Sequence, residues 1–356
     1  MKNKLLNGLI LASCLVFGIS FSNAQNTSTN EPVALLPKSS NNCAVKALGG
    51  SLSVNPLGAA VYQLGIEVPN GGSLTPQVAL TYNSQSGHGI AGYGFNISGI
   101  SVITRGGKNK FKDGELKAVA YSKDDNFFLD GCKLILDSGT RGTDGSVYSP
   151  EGNPFTKVIM HGNADTPTMW FEVKTTDGIT YRYGDSENSR ESWINKKSIT
   201  HVASWYVTYV QDKYGNIRTY GYIKDNLVVY PASIVYGINA KNSRNMVNYV
   251  NFRYETIGAT TVHFAKEDNT GIIAKRLSAI DVTTVSNGVY RHYDLTYNDT
   301  SDGTTSKYSR LVRINVRNGK NESLNPINLD WNYLSALNLT SNRLSVETDE
   351  NLSYIK

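Results

Sequence analysis

The chain contains 356 residues, of which 40% are hydrophobic and 18% are charged, a balance that excludes a disordered polypeptide and a membrane-embedded one. Its formal net charge of +5, from 35 Lys and Arg against 30 Asp and Glu, is a weak bias that does not imply nucleic acid as a partner. The 32 glycines and 22 tyrosines stand out. Tyrosine favours half-buried strands and glycine favours the turns between them, so composition indicates β structure.

The first 24 residues have the three-part pattern of an export signal. Lys2 and Lys4 supply a positive start, an apolar run extends over residues 5–19, and Ser22-Asn23-Ala24 fits a small-x-small cleavage site. The run is shorter than the roughly 20 residues of a spanning helix, so we expect a secreted, extracellular protein with no membrane span. A lipidated N-terminus at Cys14 is the less favoured alternative, because the apolar run continues past this cysteine. Removing residues 1–24 lowers the formal charge from +5 to +3, since they contain two lysines and no acid.

Residues 25–50 follow, and their polar runs of Asn, Ser and Thr predict a linker. This segment contains Cys43, which with Cys132 completes the cysteines of the exported chain. An oxidising compartment permits a disulfide between them, but sequence does not determine their separation. Both the bonded and the unbonded states therefore stay open.

Two strand-length runs come next, at residues 62–68 and 78–82. In each run the apolar residues occupy alternate positions, which places them on one face of a strand. The turn residues between Pro69 and Pro76 predict a loop, so we expect a hairpin-like pair. The missing N–H of Pro76 matters least at the entry to the second strand.

The segment Gly87-His88-Gly89-Ile90-Ala91-Gly92 matches the G-x-G-x-x-G pattern of dinucleotide sites. Such a site needs the third glycine in a helix whose N-terminus holds the pyrophosphate. The chain continues instead with Tyr93-Gly94-Phe95 and shows no helical periodicity. We therefore expect a tight β connection here and no nucleotide.

Residues 68–105 carry a long, ordered pattern of turn and strand residues. Its members are Pro69, Gly71, Gly72, Pro76, Tyr82, Asn83, Ser84, Gln85, Ser86, Gly87, Gly92, Gly94, Phe95, Gly99, Thr104 and Arg105. The pattern closely resembles the opening of SpvB-type proteins, a family that includes a plasmid virulence protein of Salmonella and the B components of insecticidal toxin complexes. The resemblance implies a structural role for these residues. Phe95 stands where the family usually has tryptophan, so packing is retained while an indole N–H is lost.

Similar strand-turn units recur at irregular spacing further along the chain. Residues 212–216, Asp-Lys-Tyr-Gly-Asn, precede an aromatic strand and resemble a YD-type repeat of the rearrangement-hotspot (RHS) proteins. Physically, the unit is an Asp, Gly and Asn turn that leads into a strand. The resemblance as a whole covers residues 51–335, which leaves residues 336–356 as a tail or the truncated start of a next module. We predict an all-β fold of many short antiparallel strands, sandwich-like or shell-like, with few or no long helices.

The sequence contains no recognisable set of catalytic or metal-binding residues. The ADP-ribosyltransferase of one family member belongs to a separate C-terminal domain, and its Ser-Thr-Ser strand and Glu-x-Glu loop have no ordered counterpart here. Residues 298–303 faintly resemble a calcium loop, but Ser309 stands where the bidentate Glu is needed. The histidines lack zinc-like spacing; they are His88, His161, His201, His263 and His292. We expect no enzyme activity, no cofactor and no metal.

Two functions from different classes remain open, and a third, a hydrolase, would require a carboxylate pair that only a structure could reveal. The resemblance implies a non-catalytic module of a secreted toxin-related protein, which contributes to a β shell or scaffold for toxin encapsulation or delivery. Its expected partners are other toxin-complex or RHS shell proteins, or a missing downstream part of the same protein. The alternative is a surface adhesin or carbohydrate-binding module, with a lipid anchor at Cys14 as an option. Its glycan-stacking residues would be Trp170, Trp193, Trp205 and Trp331, although strand packing explains their placement better.

Overall fold

The computed structural model describes residues 49–241, 246–258, 262–266, 269–286, 288–299 and 308–331. The predicted signal segment, nearly all of the linker and residues 336–356 lie outside this part of the chain. Within it the structure is almost wholly β, which confirms the predicted fold class. The helices there are α1 (Lys110–Asp113) and a 3-10 turn at Glu187–Ser189, and neither is long and apolar enough to cross a membrane.

The strands are short in the first half of the chain and longer in the second. The first half contains β1 (Gly50–Val54), β2 (Ala60–Gly65), β3 (Ala79–Asn83), β4 (His88–Gly89), β5 (Gly92–Tyr93), β6 (Phe95–Ser98), β7 (Val102–Gly106), β8 (Asn126–Leu129), β9 (Cys132–Ser138), β10 (Val147–Pro150), β11 (Lys157–His161), β12 (Trp170–Lys174) and β13 (Thr180–Tyr183). The second half contains β14 (Arg190–Ile194), β15 (Thr200–Gln211), β16 (Asn216–Asp225), β17 (Val228–Asn239), β18 (Asn248–Thr256), β19 (Val262–Lys266), β20 (Asn269–Ile273), β21 (Lys275–Thr284), β22 (Gly288–Asn298), β23 (Arg310–Asn318) and β24 (Ile327–Asn328).

A four-stranded antiparallel sheet is formed by β1, β2, β3 and β6. Its central pair confirms the hairpin-like arrangement predicted from alternation, with Leu64 opposite Leu80 and Tyr62 opposite Tyr82. Leu64 and Leu80 are each 1% exposed. The alternating apolar residues therefore form the buried face of this sheet.

A sixteen-stranded antiparallel sheet contains most of the remaining strands. Seven strands, β7 to β13, follow one another as neighbours, and both β7 and β13 also pair with β15. These eight strands close into a ring. The ring is filled by the inward residues of alternating strands, such as Val158 and Met160 on β11 and Phe171 on β12, all 0% exposed.

The rest of the large sheet is a meander that extends from β15 through β16, β17, β18, β21, β22 and β23 to β24. Successive strands are antiparallel, so every second turn lies at the same end of the sheet. The buried residues of the ring, the meander and the four-stranded sheet form one hydrophobic cluster. This shared core packs the segment between β2 and β7 against both parts of the large sheet.

Candidate functional site

The residues that carry the sequence pattern lie on one continuous stretch of chain, residues 68–105, which we call the signature segment. It comprises the loop after β2, then β3, the small hairpin β4–β5, β6 and β7. The first elements belong to the four-stranded sheet and β7 belongs to the ring. The segment therefore connects the two sheets, and the contacts of its residues are described in chain order below.

The loop before β3 is attached to β17 of the meander. Tyr236 donates from its hydroxyl to the carbonyl oxygen of Pro69 at 2.9 Å. A Cβ at Gly71 would lie 2.3 Å from the ring of the same tyrosine, so only glycine allows this approach. Gly72 follows with a φ of +90°, and Pro76 is buried before β3 begins. The Pro and Gly residues of the pattern thus shape a loop that fits against Tyr236.

Ser73 joins this loop to the YD-like turn, a second motif that the sequence showed separately. Its hydroxyl donates to Oδ2 of Asp212 at 2.5 Å, and the other oxygen, Oδ1, accepts from the backbone N–H groups of Tyr214 and Asn216 at 2.9 Å. Burial alone would raise the pKa of Asp212, but the bonds from Ser73 and Asn216 outweigh it and lower that pKa. Asp212 is thus ionised at neutral pH and holds two distant segments together.

The turn after β3 closes on the beginning of the four-stranded sheet. Oδ1 of Asn83 accepts from the backbone N–H of Gln85 at 2.9 Å, and Oγ of Ser84 accepts from the backbone N–H of Ala60 at 3.0 Å. The amide of Gln85 donates to the carbonyl of Leu57 at 3.1 Å. The backbone N–H of Ser86 donates to the carbonyl of Asn83 at 3.0 Å. These side chains complete a turn.

The residues of the G-x-G-x-x-G pattern form the hairpin β4–β5, in which His88 pairs with Tyr93 and Gly89 pairs with Gly92. Ile90 and Ala91 are the turn, and β6 follows without a helix. The predicted tight β connection is confirmed, and the helix N-terminus that a pyrophosphate requires does not occur at this position.

This hairpin is itself docked on the meander. Leu277 donates its backbone N–H to the carbonyl of Ile90 at 2.7 Å, and Tyr93 donates its own to the carbonyl of Ser309 at 2.7 Å. A Cβ at Gly92 would lie 2.7 Å from that same Ser309 oxygen. The glycine is needed because the two backbones approach closely.

Phe95, at the start of β6, is 2% exposed and its ring centroid lies 5.0 Å from that of Tyr82. Trp331 meets Tyr82 edge-on at 5.7 Å, so the end of the described chain packs against the signature segment. Gly94 and Gly99 both have positive φ, +74° and +89°. The aromatic at position 95 fills a core position, as expected from the sequence.

Arg105, the last residue of the pattern, is a buried cation inside the ring, and its side chain is 2% exposed. It pairs with Asp125 at 2.9 Å. The same nitrogen, Nη1, also donates to the backbone carbonyl of Ser122, while Nε donates to that of Val202 and Nη2 to that of Ala164. Its guanidinium carbon also lies 5.4 Å from the Trp205 ring centroid. Thr104, beside it on β7, pairs with Phe128 and Ser204.

Burial lowers the pKa of Arg105, and the bond with Asp125 acts in the opposite direction. Sequence reasoning singled out this arginine but not its partners. Asp125 and the three carbonyls lie 17 to 97 positions away. No local pattern marks them, so only the fold reveals that the charge is fully satisfied.

A row of alternating basic and acidic side chains crosses the meander and lines a cavity of about 460 Å³. His292 lies between Asp281, which its Nδ1 contacts, and Asp294, which its Nε2 contacts at 2.6 Å. Arg253 pairs with Asp281 at 2.8 Å and Arg317 pairs with Asp294 at 2.7 Å. Each of the two carboxylates contacts both His292 and an arginine, so the row binds its strands together.

The four tryptophans do not share one exposed face. Trp205 is 0% and Trp193 is 3% exposed, while half-buried Trp331 donates its indole N–H to the carbonyl of Leu311 at 2.8 Å. The half-buried Trp170 is stacked on His161, with ring centroids 4.0 Å apart. Within the described ranges, no group of three or more His, Cys, Asp or Glu residues is placed to hold a metal.

The disulfide between Cys43 and Cys132 remains a prediction, because Cys43 lies outside the described residues. Cys132 begins β9, and its Sγ lies 3.6 Å from the carbonyl oxygen of Glu151.

The sequence profile of one family, described as SpvB, Salmonella virulence plasmid 65kDa B protein, matches residues 54–255. This range is more than half of the chain and contains the whole signature segment. The chain belongs to the SpvB family. A search of curated proteins gave no match.

Solved structures with a fold similar to that of this chain come from an isolated domain and from toxin complexes. The N-terminal domain of effector protein SpvB from Salmonella typhimurium strain LT2 is similar with a TM-score of 0.55 at 14% identity, over 72% of this chain and 98% of that one. The crystal structure of TcdB2-TccC3 is similar with a TM-score of 0.64 at 16% identity, over 85% of this chain and 17% of that one. The Photorhabdus luminescens Tc holotoxin pore gives 0.60 at 16% identity, over 85% and 17%.

At these identities the similarity concerns the fold. The chain spans less than a fifth of the two toxin-complex chains, at 17% of each, and nearly all of the SpvB N-terminal domain, at 98%. The family predicted from residues 68–105 is thus confirmed, and the signature residues are located where this fold joins its two sheets.

Proposed function

We propose that the chain is a non-catalytic structural module of a secreted, toxin-related protein, and that it contributes to a β shell or scaffold that encloses or delivers a toxin. The observation that carries the proposal is that the polar side chains of the signature segment form hydrogen bonds within the chain itself. Its hydroxyl, amide and guanidinium groups bond to the chain's own backbone and side chains, at Asp212, Leu57 and Val202 for example. A substrate site would leave such groups directed at an open cleft.

The family and the fold support this reading. A closed ring and a long meander make up most of the described residues, so the module presents continuous sheet. Similar folds occur within the TcdB2-TccC3 and Tc holotoxin structures. We propose that the partners are shell proteins of the toxin-complex or RHS type, or a further part of the same polypeptide.

Export is a part of this proposal. Residues 1–24 supply the signal pattern, and cleavage after Ala24 would release a chain that begins at Gln25. Sequencing the N-terminus of the released protein tests this step. A lipid on Cys14 would instead show the alternative processing.

The experiment that tests the function is native mass spectrometry of the exported protein, purified through a C-terminal tag under mild conditions. We expect a stoichiometric complex with a second β-rich polypeptide, and no release of nicotinamide from NAD. A monomer that binds glycans on an array, and loses that binding with Trp170→Ala, would replace the proposal with the adhesin alternative. Trp205→Phe, at a fully buried position, is the matched control, because it cannot change an exposed glycan platform.

A further inference from the structure

The small hairpin β4–β5 contains a histidine that the proposed function does not use. His88 begins β4, and both of its imidazole nitrogens are buried without a hydrogen-bond partner of good geometry among the described residues. A neutral imidazole leaves one N–H and one lone pair unsatisfied in this position. A protonated imidazole would cost more, because two N–H groups and a charge would then lack partners.

The surroundings of the other described histidines are different. His292 contacts a carboxylate through each of its nitrogens, and Nε2 of His201 lies 2.9 Å from the amide of Asn195. His161, on β11, has one buried nitrogen without a partner, Nε2. Of the histidines whose side chains the structure describes, His88 therefore has the imidazole with the least support for a second proton.

The position of His88 couples it to the docking of the hairpin on the meander. Its strand partner in the hairpin is Tyr93, which donates its backbone N–H to the carbonyl of Ser309 at 2.7 Å. On the other side of the turn, the carbonyl of Ile90 accepts from the backbone N–H of Leu277 at 2.7 Å. Because β4 contains both His88 and the approach to Ile90, a displacement of this strand reaches both docking bonds.

The charged groups at this docking contact have both signs. Arg276 of β21 pairs with Glu255 of β18 at 2.6 Å and with Asp299, which follows β22. Arg310 of β23 lies over the ring of Tyr308, 5.6 Å from its centroid. Other titratable groups at this contact are phenols that stay neutral near pH 7; they are those of Tyr93, Tyr297 and Tyr308. The two cations are matched by two carboxylates, so burial decides the charge state of the histidine.

Burial lowers the pKa of His88, and Arg276 acts in the same direction, while the backbone of Gly89 and the carboxylate of Asp299 oppose the shift without reversing it. The pKa in the docked hairpin is thus below the ordinary value of 6.5. A released hairpin would take up the proton at the ordinary value. Docking is therefore fully favoured above about pH 6.5 and is weakened as the pH falls from there through the pKa of the docked state.

We propose that His88 makes the docking of the hairpin β4–β5 on the meander sensitive to acid. When its imidazole takes up a proton, the hairpin leaves the meander so that the charged side chain reaches solvent. This release breaks the backbone bonds made by Ile90 and Tyr93 and loosens one of the contacts by which the signature segment holds the two sheets together. The inference goes beyond the shell function and does not depend on it.

The test is hydrogen exchange of the full exported protein between pH 8 and pH 5, corrected for the intrinsic pH dependence of amide exchange. The amides of Tyr93 and Leu277 donate the two docking bonds and report directly on release. We expect their protection to be constant above about pH 6.5 and to fall below it, by at most about tenfold per pH unit, the limit for one linked proton. The amide of Val250, which is 0% exposed inside the meander, should keep its protection.

Two variants of His88 separate its charge from its shape. His88→Phe retains a planar ring that cannot be protonated, so the two docking amides should stay protected down to pH 5. His88→Lys is positively charged throughout this range and should lose their protection already at pH 8. The matched control is His201→Gln, which removes a titratable imidazole from β15 and should behave as the unchanged protein does.

Three results would overturn the proposal. They are a fall in protection that persists in His88→Phe, a parallel loss at Val250 in the unchanged protein, and constant protection of Tyr93 and Leu277 down to pH 5. An NMR titration of the imidazole in the unchanged protein provides a check that needs no variant. A midpoint for His88 at or above the ordinary value of 6.5 would also contradict the proposal.

Discussion

Single side chains join segments of this protein that are far apart in the chain, and Arg105 is the clearest case. A buried guanidinium is tolerated only when its hydrogen bonds and its charge are all satisfied. Asp125 supplies the charge, while β15 and the loops before β8 and before β12 supply the carbonyls. One side chain therefore connects four segments of the ring.

We expect Arg105→Met to lower the free energy of unfolding by about 3–5 kcal/mol, because it leaves the buried Asp125 carboxylate without its opposite charge and takes a donor away from three carbonyls. Urea unfolding of the purified variant measures the change. Lys157→Met removes a more exposed pair with Asp137 and should cost at most about 1 kcal/mol. Similar decreases in the free energy of unfolding for the two variants would show that the bonds of Arg105 contribute no more than an exposed ion pair.

Two glycines of the signature segment allow the cost of a left-handed backbone to be compared with the cost of a steric clash. Gly99 and Gly72 have nearly the same φ, +89° and +90°. A Cβ at Gly99 would lie 1.9 Å from the backbone oxygen of Gln77, whereas nothing lies within 4 Å of one at Gly72.

We therefore expect Gly72→Ala to cost about 1–2 kcal/mol, the strain of a left-handed L-residue. Gly99→Ala should cost clearly more, because a backbone atom must also move. Thermal or urea unfolding compares the two variants directly, and equal costs would contradict the contact at Gln77.

At the scale of elements, strands were predictable where one face is buried and the other is wet. The alternation at residues 62–68 and 78–82 led to β2 and β3 in the expected pairing. The four-residue helix α1 was not predicted, since it buries no residue and leaves no periodic pattern. Its position depends on Asp113, which faces Lys133 of β9.

The bond from Lys133 lowers the pKa of Asp113 to about 2, although burial opposes the shift. Because the folded pKa lies below the ordinary value of 3.8, the pair stabilises the fold fully above about pH 4. That stabilisation is lost as the pH falls through about 2. We expect Asp113→Asn to lower the unfolding free energy at neutral pH by about 1–3 kcal/mol.

The difference from the unchanged protein should shrink between about pH 4 and pH 2, because the carboxyl of the unfolded chain takes up its proton in this range, and that of the folded chain does so only at the lower end. Unfolding in urea across this range measures it. Glu187→Gln, at an exposed position, is the control and should show no such window. A constant difference down to pH 2 would contradict the pairing with Lys133.

At the scale of the whole molecule, the ring and the meander share one hydrophobic core, which the signature segment completes. Two independent units would each need a core of their own. Trp205 lies inside the ring, whereas Trp331 lies by β23 and β24, far along the meander.

We expect one cooperative unfolding transition, with the same urea midpoint by far-UV circular dichroism and by tryptophan fluorescence. Trp331→Phe removes the fluorescence signal from the far end of the meander and leaves the signals of the ring tryptophans. In this variant the urea midpoint by fluorescence should still agree with the midpoint by circular dichroism. Two separate midpoints would show that the ring and the meander unfold independently.

The sequence by itself determined the all-β class, the pairing of β2 with β3 and the family, because alternation and turn chemistry are local properties and residues 68–105 form an unbroken pattern. It also excluded a nucleotide at Gly87–Gly92, since the absence of a helix is visible in the letters. The closure of the ring and the partners of Arg105 were decided only by the tertiary structure, as was the meeting of Ser73 with Asp212. Each of these joins residues far apart in the chain, and local periodicity carries no information about which distant strand edge or carbonyl will lie opposite.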